Sequence, residues 1–283
     1  MKKNIKYFFE AILLYFFFIV AKILGLSFSR KIFSFIFRKV GHIVRSNKII
    51  KENLLRYSPE LSAQKTKEII SNMWANYGMT FVEYVFLKRF RNKNHHIIIE
   101  GENILNEIKK NNKPVIFVSG HFANFELMSM EITKKEIKLA TIYRPLNNFF
   151  LNPFMEYLRK KFVCKNQIKK GRQNIKEILK FIDQKHSIAL MIDQRVSEGD
   201  KIKFFNEEAY TTTLPAQLAF KYDLKVVPIF IERKEDKLFL MKIYNPLNVS
   251  SFKDKIELTE KLNQLLDKMI KKNPNQWIWS HNR

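Results

Sequence analysis

The chain has 283 residues, with 51 Lys and Arg against 27 Asp and Glu, so its formal net charge is +24 although 46% of its residues are hydrophobic. With 26 Phe and 10 Tyr it can build a packed core, which excludes a disordered basic tail, and 7 Gly exclude a collagen-like chain. Its single cysteine, Cys164, cannot form an internal disulfide and is typical of a small buried side chain in a reducing compartment. So basic a chain favours an anionic partner, and composition leaves nucleic acid, a membrane surface and an acidic protein or substrate open.

The first fifty residues are both basic and strongly apolar. They carry ten basic residues against one acidic residue, Glu10, and the run from Ala11 to Ala21 has no charge. A helix needs roughly 20 apolar residues to span a bilayer. The segment therefore predicts a single span or a deep interfacial anchor, with Glu10 and Lys22 reaching towards the interfaces. No small-residue cleavage site follows the run, which disfavours a secretory signal.

Residues 29–45 predict a second, amphipathic helical element. Its apolar side chains share one face at 100° per residue: Phe33, Ile36, Phe37, Val40 and Val44. A basic amphipathic helix is typical of a membrane interface, and the alternative is a surface helix packed on the protein's own core. More basic residues follow the apolar run than precede it, which predicts that the main body lies in the cytoplasm. We expect an anchor over residues 1–47 and one domain over residues 48–283.

Beyond residue 60, segments with helical periodicity alternate with short apolar runs. The helical segments are 64–90, 122–135, 149–162, 172–184, 213–222 and 255–271, and the runs are 95–100, 114–119, 137–143, 187–193, 225–230 and 237–243. Runs such as 114–119 and 187–193 are apolar on both faces, as in central strands covered by helices on each side. The sequence therefore predicts an α/β domain whose central sheet, largely parallel or mixed, is flanked by helices.

The nucleic-acid interpretation has little support in the sequence. It contains no zinc-finger spacing, RNP-like aromatic motif or helix-turn-helix signature. Its densest basic stretch is fused to its most apolar one, and membrane binding explains both features together. We therefore expect a membrane partner and no nucleic-acid partner.

The candidate chemical site follows the predicted strand 114–119, because ligands of α/β sheets bind beyond the carboxyl ends of strands. Gly120 permits a tight turn, His121 is a candidate general base, and Glu126 is a carboxylate that could fix its tautomer. The spacing alone is weak evidence, since His95 and Glu100 share it within a predicted strand, where an odd separation sends side chains to opposite faces. The strand-turn-helix context singles out His121, and a capping or core histidine is the alternative.

Five segments together resemble a known family. GHFANFE, YRP, LMIDQ, FFNEEAYTTTLPAQLA and PNQWIWSHNR are similar to the bacterial lipid A late acyltransferases of lauroyl and myristoyl type, within the broader glycerolipid acyltransferases that carry an H-x4-D/E motif. The similarity covers essentially the whole chain. It implies that His121 is the general base and that Glu126 orients and charges it. The substrate-binding residues that the resemblance implies are Asn124, Arg144, Arg159 and Asp193.

The resemblance also implies a reaction and a location. A fatty acyl chain would pass from acyl carrier protein to a hydroxyl of a lipid A precursor, without a metal or organic cofactor, at the cytoplasmic face of the inner membrane. An acidic carrier protein and an anionic glycolipid both suit a chain of charge +24. A glycerolipid or other glycolipid O-acyltransferase remains an alternative, as does a non-catalytic membrane or nucleic-acid binder in which the motif is coincidental.

Overall fold

The computed structural model describes residues 2–44, 47–196, 199–205, 207–235 and 238–281. The helices are α1 (Lys2–Val44), α2 (Asn47–Tyr57), α3 (Ala63–Glu83), α4 (Leu87–Asn92), α5 (Glu102–Asn111), α6 (Glu126–Lys134), α7 (Asn152–Leu158), α8 (Ile175–Asp183), α9 (Leu214–Tyr222) and α10 (Lys255–Lys272). The strands are β1 (Ile97–Glu100), β2 (Ile116–Ser119), β3 (Leu139–Tyr143), β4 (Asn166–Lys169), β5 (Ser187–Met191), β6 (Asp200–Phe204), β7 (Glu207–Thr211), β8 (Val226–Arg233) and β9 (Phe239–Ile243).

A seven-stranded sheet in the order β1-β9-β8-β2-β5-β3-β4 forms the centre of the fold. Its neighbouring strands are parallel except for the antiparallel pair β8–β9. The predicted α/β class with a mixed sheet is therefore confirmed, and all six predicted strands lie in this sheet. The seventh strand, β4, was not predicted because NQIK contains a single apolar residue, and the separate β6–β7 hairpin was missed because its strands are largely polar.

The two faces of the sheet bury two different sets of helices. In β2, Ile116 and Val118 pack with side chains of α8, α9 and α10, whereas Phe117 packs with side chains of α1, α5 and α6. Every residue of β2 is buried as a result. Helical cover on both faces explains the apolar runs of the central strands, which do not alternate with polar residues.

The long N-terminal helix α1 is sharply bent at Gly25. Gly25 has φ 75° and ψ 166°, in the region that glycine enters without steric cost. Beyond the bend, the Ser29 hydroxyl donates to the Ala21 carbonyl at 3.0 Å. The rings of Phe17 and Phe33 lie 6.0 Å apart, whereas a straight helix would separate these positions by roughly 24 Å. The two halves of α1 therefore fold towards each other.

The second half of α1 packs on α3. Phe33 is buried against Phe81, and a Cβ atom at Gly41 would lie 2.2 Å from the ring of Trp74. Segment 29–45 was expected either to lie in a membrane interface or to pack on the protein's own core. At Phe33 and Gly41 the structure shows packing on the core. Helix α1 also contributes to the same core as the sheet. The boundary between an anchor over residues 1–47 and a domain over residues 48–283 stays a prediction.

Much of the remaining surface of α1 is apolar and exposed. In the first half the exposed side chains are Ile5, Phe8, Phe9, Ile12, Leu13, Phe16, Ile19, Ile23 and Leu24, and in the second half they are Phe28, Phe35, Val40 and Ile43. By length and composition alone, the helix over Lys3–Ile43 could cross a membrane.

A buried ion cluster connects α1 to the sheet. The Glu83 carboxylate accepts from Arg30 Nε at 2.6 Å, from Arg233 through both of its oxygens, and from Asn124 Nδ2 at 2.8 Å. Burial opposes ionisation of Glu83, but the two guanidinium groups outweigh it and hold the pKa of this carboxyl below its usual range. The cluster joins helix α1, strand β8 and the loop after β2 at one point.

We expect Glu83→Ala to destabilise the protein by about 3–5 kcal/mol, because it leaves two guanidinium groups buried without their counter-charge. Urea unfolding in detergent micelles measures the free energy of unfolding. Glu68→Ala is the matched control on the same helix, since the exposed Glu68–Lys65 pair should contribute less than about 1 kcal/mol. Equal losses in the two variants would contradict the proposed importance of the cluster.

Candidate active site

Two adjacent parallel strands bring His121 and Asp193 together. Ser119 of β2 pairs with Met191 of β5. His121 and Asp193 each lie two residues beyond this pair, so both emerge at the same edge of the sheet. The His121 ring nitrogen Nδ1 lies 2.7 Å from Asp193 Oδ1, and the His121 backbone N–H donates to Asp193 Oδ2 at 2.7 Å. The carboxylate therefore fixes both the ring and the backbone of this histidine.

Asp193 is an ionised, buried acceptor. Its side chain is 1% exposed, and it accepts a third hydrogen bond from the indole Nε1 of Trp277 at 2.8 Å. Burial opposes its charge, but the His121 ring and these hydrogen bonds outweigh burial and hold the pKa of Asp193 far below its usual range. With the Nδ1 proton directed at the carboxylate, Nε2 of His121 carries the lone pair of the neutral ring. A base oriented in this way can remove a proton from a hydroxyl.

The loop that carries His121 is held in an unusual backbone conformation. Ala123 has φ 42°, in the left-handed region that costs a residue with a Cβ atom about 1 kcal/mol or more. Its N–H donates to the Gln276 carbonyl at 3.0 Å, and its own carbonyl accepts from Thr80 Oγ1 at 2.8 Å. A Cβ atom at Gly120 would lie 2.7 Å from the ring of Phe122, so the loop also needs glycine there.

Glu126, at the first position of α6, is bound to an arginine and a tyrosine. Its Oε1 accepts from Arg159 Nε at 2.7 Å and from the Tyr84 hydroxyl, which in turn accepts from Arg159 Nη2 at 2.9 Å. Burial and the Glu126 carboxylate raise the pKa of Tyr84, so the phenol remains a donor. The hydrogen bonds of His121 within the described residues run to Asp193 and Gln194. The structure thus differs from the expected His121–Glu126 contact, and Asp193 takes the orienting position.

A cavity of about 480 Å³ opens beside His121. Four of the six predicted site residues line it, namely His121, Glu126, Arg144 and Arg159. Asp193 is buried against His121, outside the described lining. Asn124 also lies outside it, because its side chain is 1% exposed and donates to Glu83. The structure therefore gives Asn124 a place in the buried ion cluster, which differs from the substrate-binding role expected from the resemblance.

The cavity wall also contains polar residues that were not predicted as site residues, among them Tyr84, Lys170, Gln194 and His281. Lys170 lies beside Arg144, and burial together with this positive neighbour lowers the pKa of Lys170. Lys170 follows β4, the strand that the apolar pattern did not reveal. Gln194 and His281 stand inside the quoted motifs LMIDQ and PNQWIWSHNR, so the signal for them was present in the sequence.

No metal site is present in the described part of the chain: no three His, Cys, Asp or Glu side chains there lie close enough together to hold an ion. Cys164 is buried, as expected from the sequence, and its thiol lies 3.3 Å from the Leu139 carbonyl. Burial raises the pKa of this thiol. The expected absence of a cofactor stays a prediction.

Comparison with known proteins gives the site its context. The family model described as bacterial lipid A biosynthesis acyltransferase matches residues 2–283. The chain belongs to this family. The expected resemblance is thereby confirmed, and membership of the family supports an acyltransferase activity.

Individual relatives of this lipid A acyltransferase chain are distant. The lipid A biosynthesis lauroyltransferase of Escherichia coli K12 is 23% identical over 245 residues, covering 84% of this chain and 79% of its own. The lipid A biosynthesis acyltransferase 2 of Shigella flexneri is 24% identical over 266 residues, covering 89% and 82%. The crystal structure of the 1-acyl-sn-glycerophosphate acyltransferase PlsC from Thermotoga maritima is 15% identical with a TM-score of 0.43, covering 96% of this chain and 99% of its own.

Asp193→Asn should remove a stabilising contribution that depends on pH. Because the folded pKa of Asp193 lies far below its unfolded value of about 3.9, its contribution is complete above the unfolded value and is lost only as pH falls through the folded value. We expect the difference in free energy of unfolding between wild type and variant to be largest near pH 7 and to shrink progressively as pH falls below about 4. Urea titrations followed by tryptophan fluorescence measure it, and a difference independent of pH would contradict the assignment.

Proposed function

We propose that the protein transfers a fatty acyl chain from acyl carrier protein to a hydroxyl of a lipid A precursor, with His121 as the general base and Asp193 as the residue that positions it. The observation that carries the proposal is the 2.7 Å contact between His121 Nδ1 and Asp193 Oδ1 at the wall of a large cavity. Family membership supports acyl transfer as the class of reaction.

The proposed reaction is a direct exchange of an acyl thioester for an ester. His121 Nε2 takes the proton of the acceptor hydroxyl while the hydroxyl oxygen attacks the thioester carbonyl carbon. The carbon–sulfur bond then breaks, and the proton on Nε2 passes to the leaving sulfur, which departs as a thiol. Asp193 stabilises the positive ring between these two transfers. The exchange involves no change of oxidation state and needs no cofactor.

The cavity wall suits an anionic, acylated substrate. Arg144 and Lys170 are basic residues of the cavity wall, and they fit a phosphate of the acceptor. Arg159 is held by Glu126, and its Nη1 atom is buried without a hydrogen-bond partner among the described residues. It can therefore donate to a phosphate or carbonyl oxygen of the substrate. Leu151, Met155 and other apolar residues line the rest of the cavity and suit acyl chains.

The exposed apolar face of α1 supports attachment to the membrane that holds the acceptor. We infer that this face lies in the inner membrane with the catalytic cavity on the cytoplasmic side, where acyl carrier protein is available. The net charge of +24 suits the acidic carrier protein and an anionic membrane surface.

His121→Ala should abolish acyl transfer because it removes the oriented base. The variant should still fold, since Asp193 keeps its hydrogen bonds from the backbone N–H at position 121 and from Trp277. The assay incubates purified enzyme with acyl-loaded carrier protein and a lipid A precursor and identifies the product by mass spectrometry. His95→Ala is the control, since exposed His95 has the same spacing to a glutamate. An active His121→Ala enzyme would exclude the proposed base, and product formed only on a lysophosphatidic acid acceptor would favour a glycerolipid substrate.

Ile12→Asp combined with Phe16→Asp should weaken membrane binding by at least tenfold, because the variant places two carboxylates in the exposed apolar face of α1. Flotation with vesicles of phosphatidylglycerol and phosphatidylethanolamine measures the bound fraction. Ile98→Asp is the matched control, since Ile98 is equally exposed on the edge strand β1. Equal binding by both variants would exclude α1 as the anchor.

A further inference from the structure

A row of polar side chains extends from the far side of the His121 ring. The amide nitrogen Nε2 of Gln194 lies 3.5 Å from His121 Nε2 and 3.1 Å from His281 Nε2. The two imidazole rings lie 5.7 Å apart between centroids, with Gln194 bridging them. All three side chains line the catalytic cavity. The mechanism above uses His121 and leaves Gln194 and His281 without a role.

The amide nitrogen of Gln194 faces both rings, and its two N–H groups suit the ring nitrogens that it approaches. With its Nδ1 proton directed at Asp193, the neutral His121 ring offers a lone pair at Nε2, and a His281 ring protonated at Nδ1 would offer another. A primary amide has two N–H donors, one for each lone pair. This arrangement holds the Gln194 NH2 group, and not its oxygen, beside the catalytic base.

The position of His281 is specified by contacts from elsewhere in the chain. Asn53 Nδ2 in α2 donates to the carbonyls of Trp279 and His281 at 2.8 and 2.7 Å. Trp279 is fully buried, and its indole donates to the Pro274 carbonyl at 2.7 Å. The segment that presents His281 to the cavity is therefore anchored on both its backbone and its neighbouring side chain.

We propose that Gln194 is a catalytic hydrogen-bond donor to the oxyanion of the acyl-transfer step, and that His281 is the residue that positions it. The proposal rests on the acyl transfer proposed above. The contact from Gln194 to His121 is long at 3.5 Å, so an acceptor hydroxyl can displace it at Nε2, while the shorter contact to His281 keeps the amide in place. The displaced N–H then lies next to the carbon that the hydroxyl attacks.

The donor would act on charge that exists only during the reaction. When the hydroxyl oxygen bonds to the thioester carbonyl carbon, the carbonyl π electrons move to its oxygen and a proton moves to His121. Gln194 donates to that oxyanion until the carbonyl re-forms and the thiolate leaves, taking up the proton from His121. A donor whose hydrogen bond to the oxyanion forms only in the transition state raises kcat and leaves KM nearly unchanged.

The test compares single and double variants in the carrier-protein assay. Gln194→Met keeps the size of the side chain and removes both donors, and we expect kcat to fall about 100-fold with little change in KM. His281→Ala should lower kcat about tenfold, the effect of one lost hydrogen bond, and His281→Gln should restore most of it because its amide oxygen accepts the same bond. The double variant Gln194→Met with His281→Ala should be no slower than Gln194→Met alone, since His281 acts through Gln194.

Controls separate this inference from folding and from the proposed function. Gln64→Met, at an exposed position near the start of α3, should leave kcat unchanged, and unfolding midpoints should agree among all variants. Full activity in Gln194→Met alongside an inactive His121→Ala would overturn the roles of Gln194 and His281 and leave the proposed function intact. Multiplying effects in the double variant, or a rise in KM without loss of kcat, would overturn the positioning role of His281. A wild-type enzyme without transferase activity would overturn the proposed function and this inference together.

Discussion

The carboxylate of Glu83 holds together three parts of the molecule that are distant in sequence. It binds Arg30 from α1, Arg233 from β8 and Asn124 from the loop after β2. Two buried guanidinium groups share this one buried carboxylate, and separating either of them from it leaves a buried charge without its counter-charge. Because Asn124 belongs to the same loop as His121, the position of the His121 ring depends on the packing of the N-terminal helix.

A second constraint is the register of the sheet. Strands β2 and β5 are neighbours, and their pairing places His121 and Asp193 at the same height above the sheet edge. Trp277 approaches from the carboxyl-terminal segment and gives Asp193 its third donor. The orienting carboxylate is thus built on the rigid end of a central strand, and Glu126 is available to hold Arg159 in the cavity wall.

The sequence predicts most of this fold because burial on both faces makes the central strands apolar throughout. It does not reveal β4, an edge strand with one buried residue. His121 is predictable from its position between a strand and a helix, but its partner is not, since the chain order of the strands does not show that β2 lies beside β5. The prediction therefore paired His121 with Glu126, the carboxylate that lies near it in sequence. For the same reason Asn124, close in sequence to His121, was expected at the cavity although its side chain turns to Glu83.

The contribution of residues 277–281 to the site has a consequence for the order of events during synthesis. Helix α1 is made before the other described elements, so its apolar face precedes the rest of the fold. The Trp277 indole that donates to Asp193, and the His281 carbonyl that accepts from Asn53, become available only after all the described helices and strands have been made. At about 5–20 residues per second this interval is roughly 10–50 s. The newly made chain can therefore reach a membrane before the hydrogen bonds around Asp193 and His281 are complete.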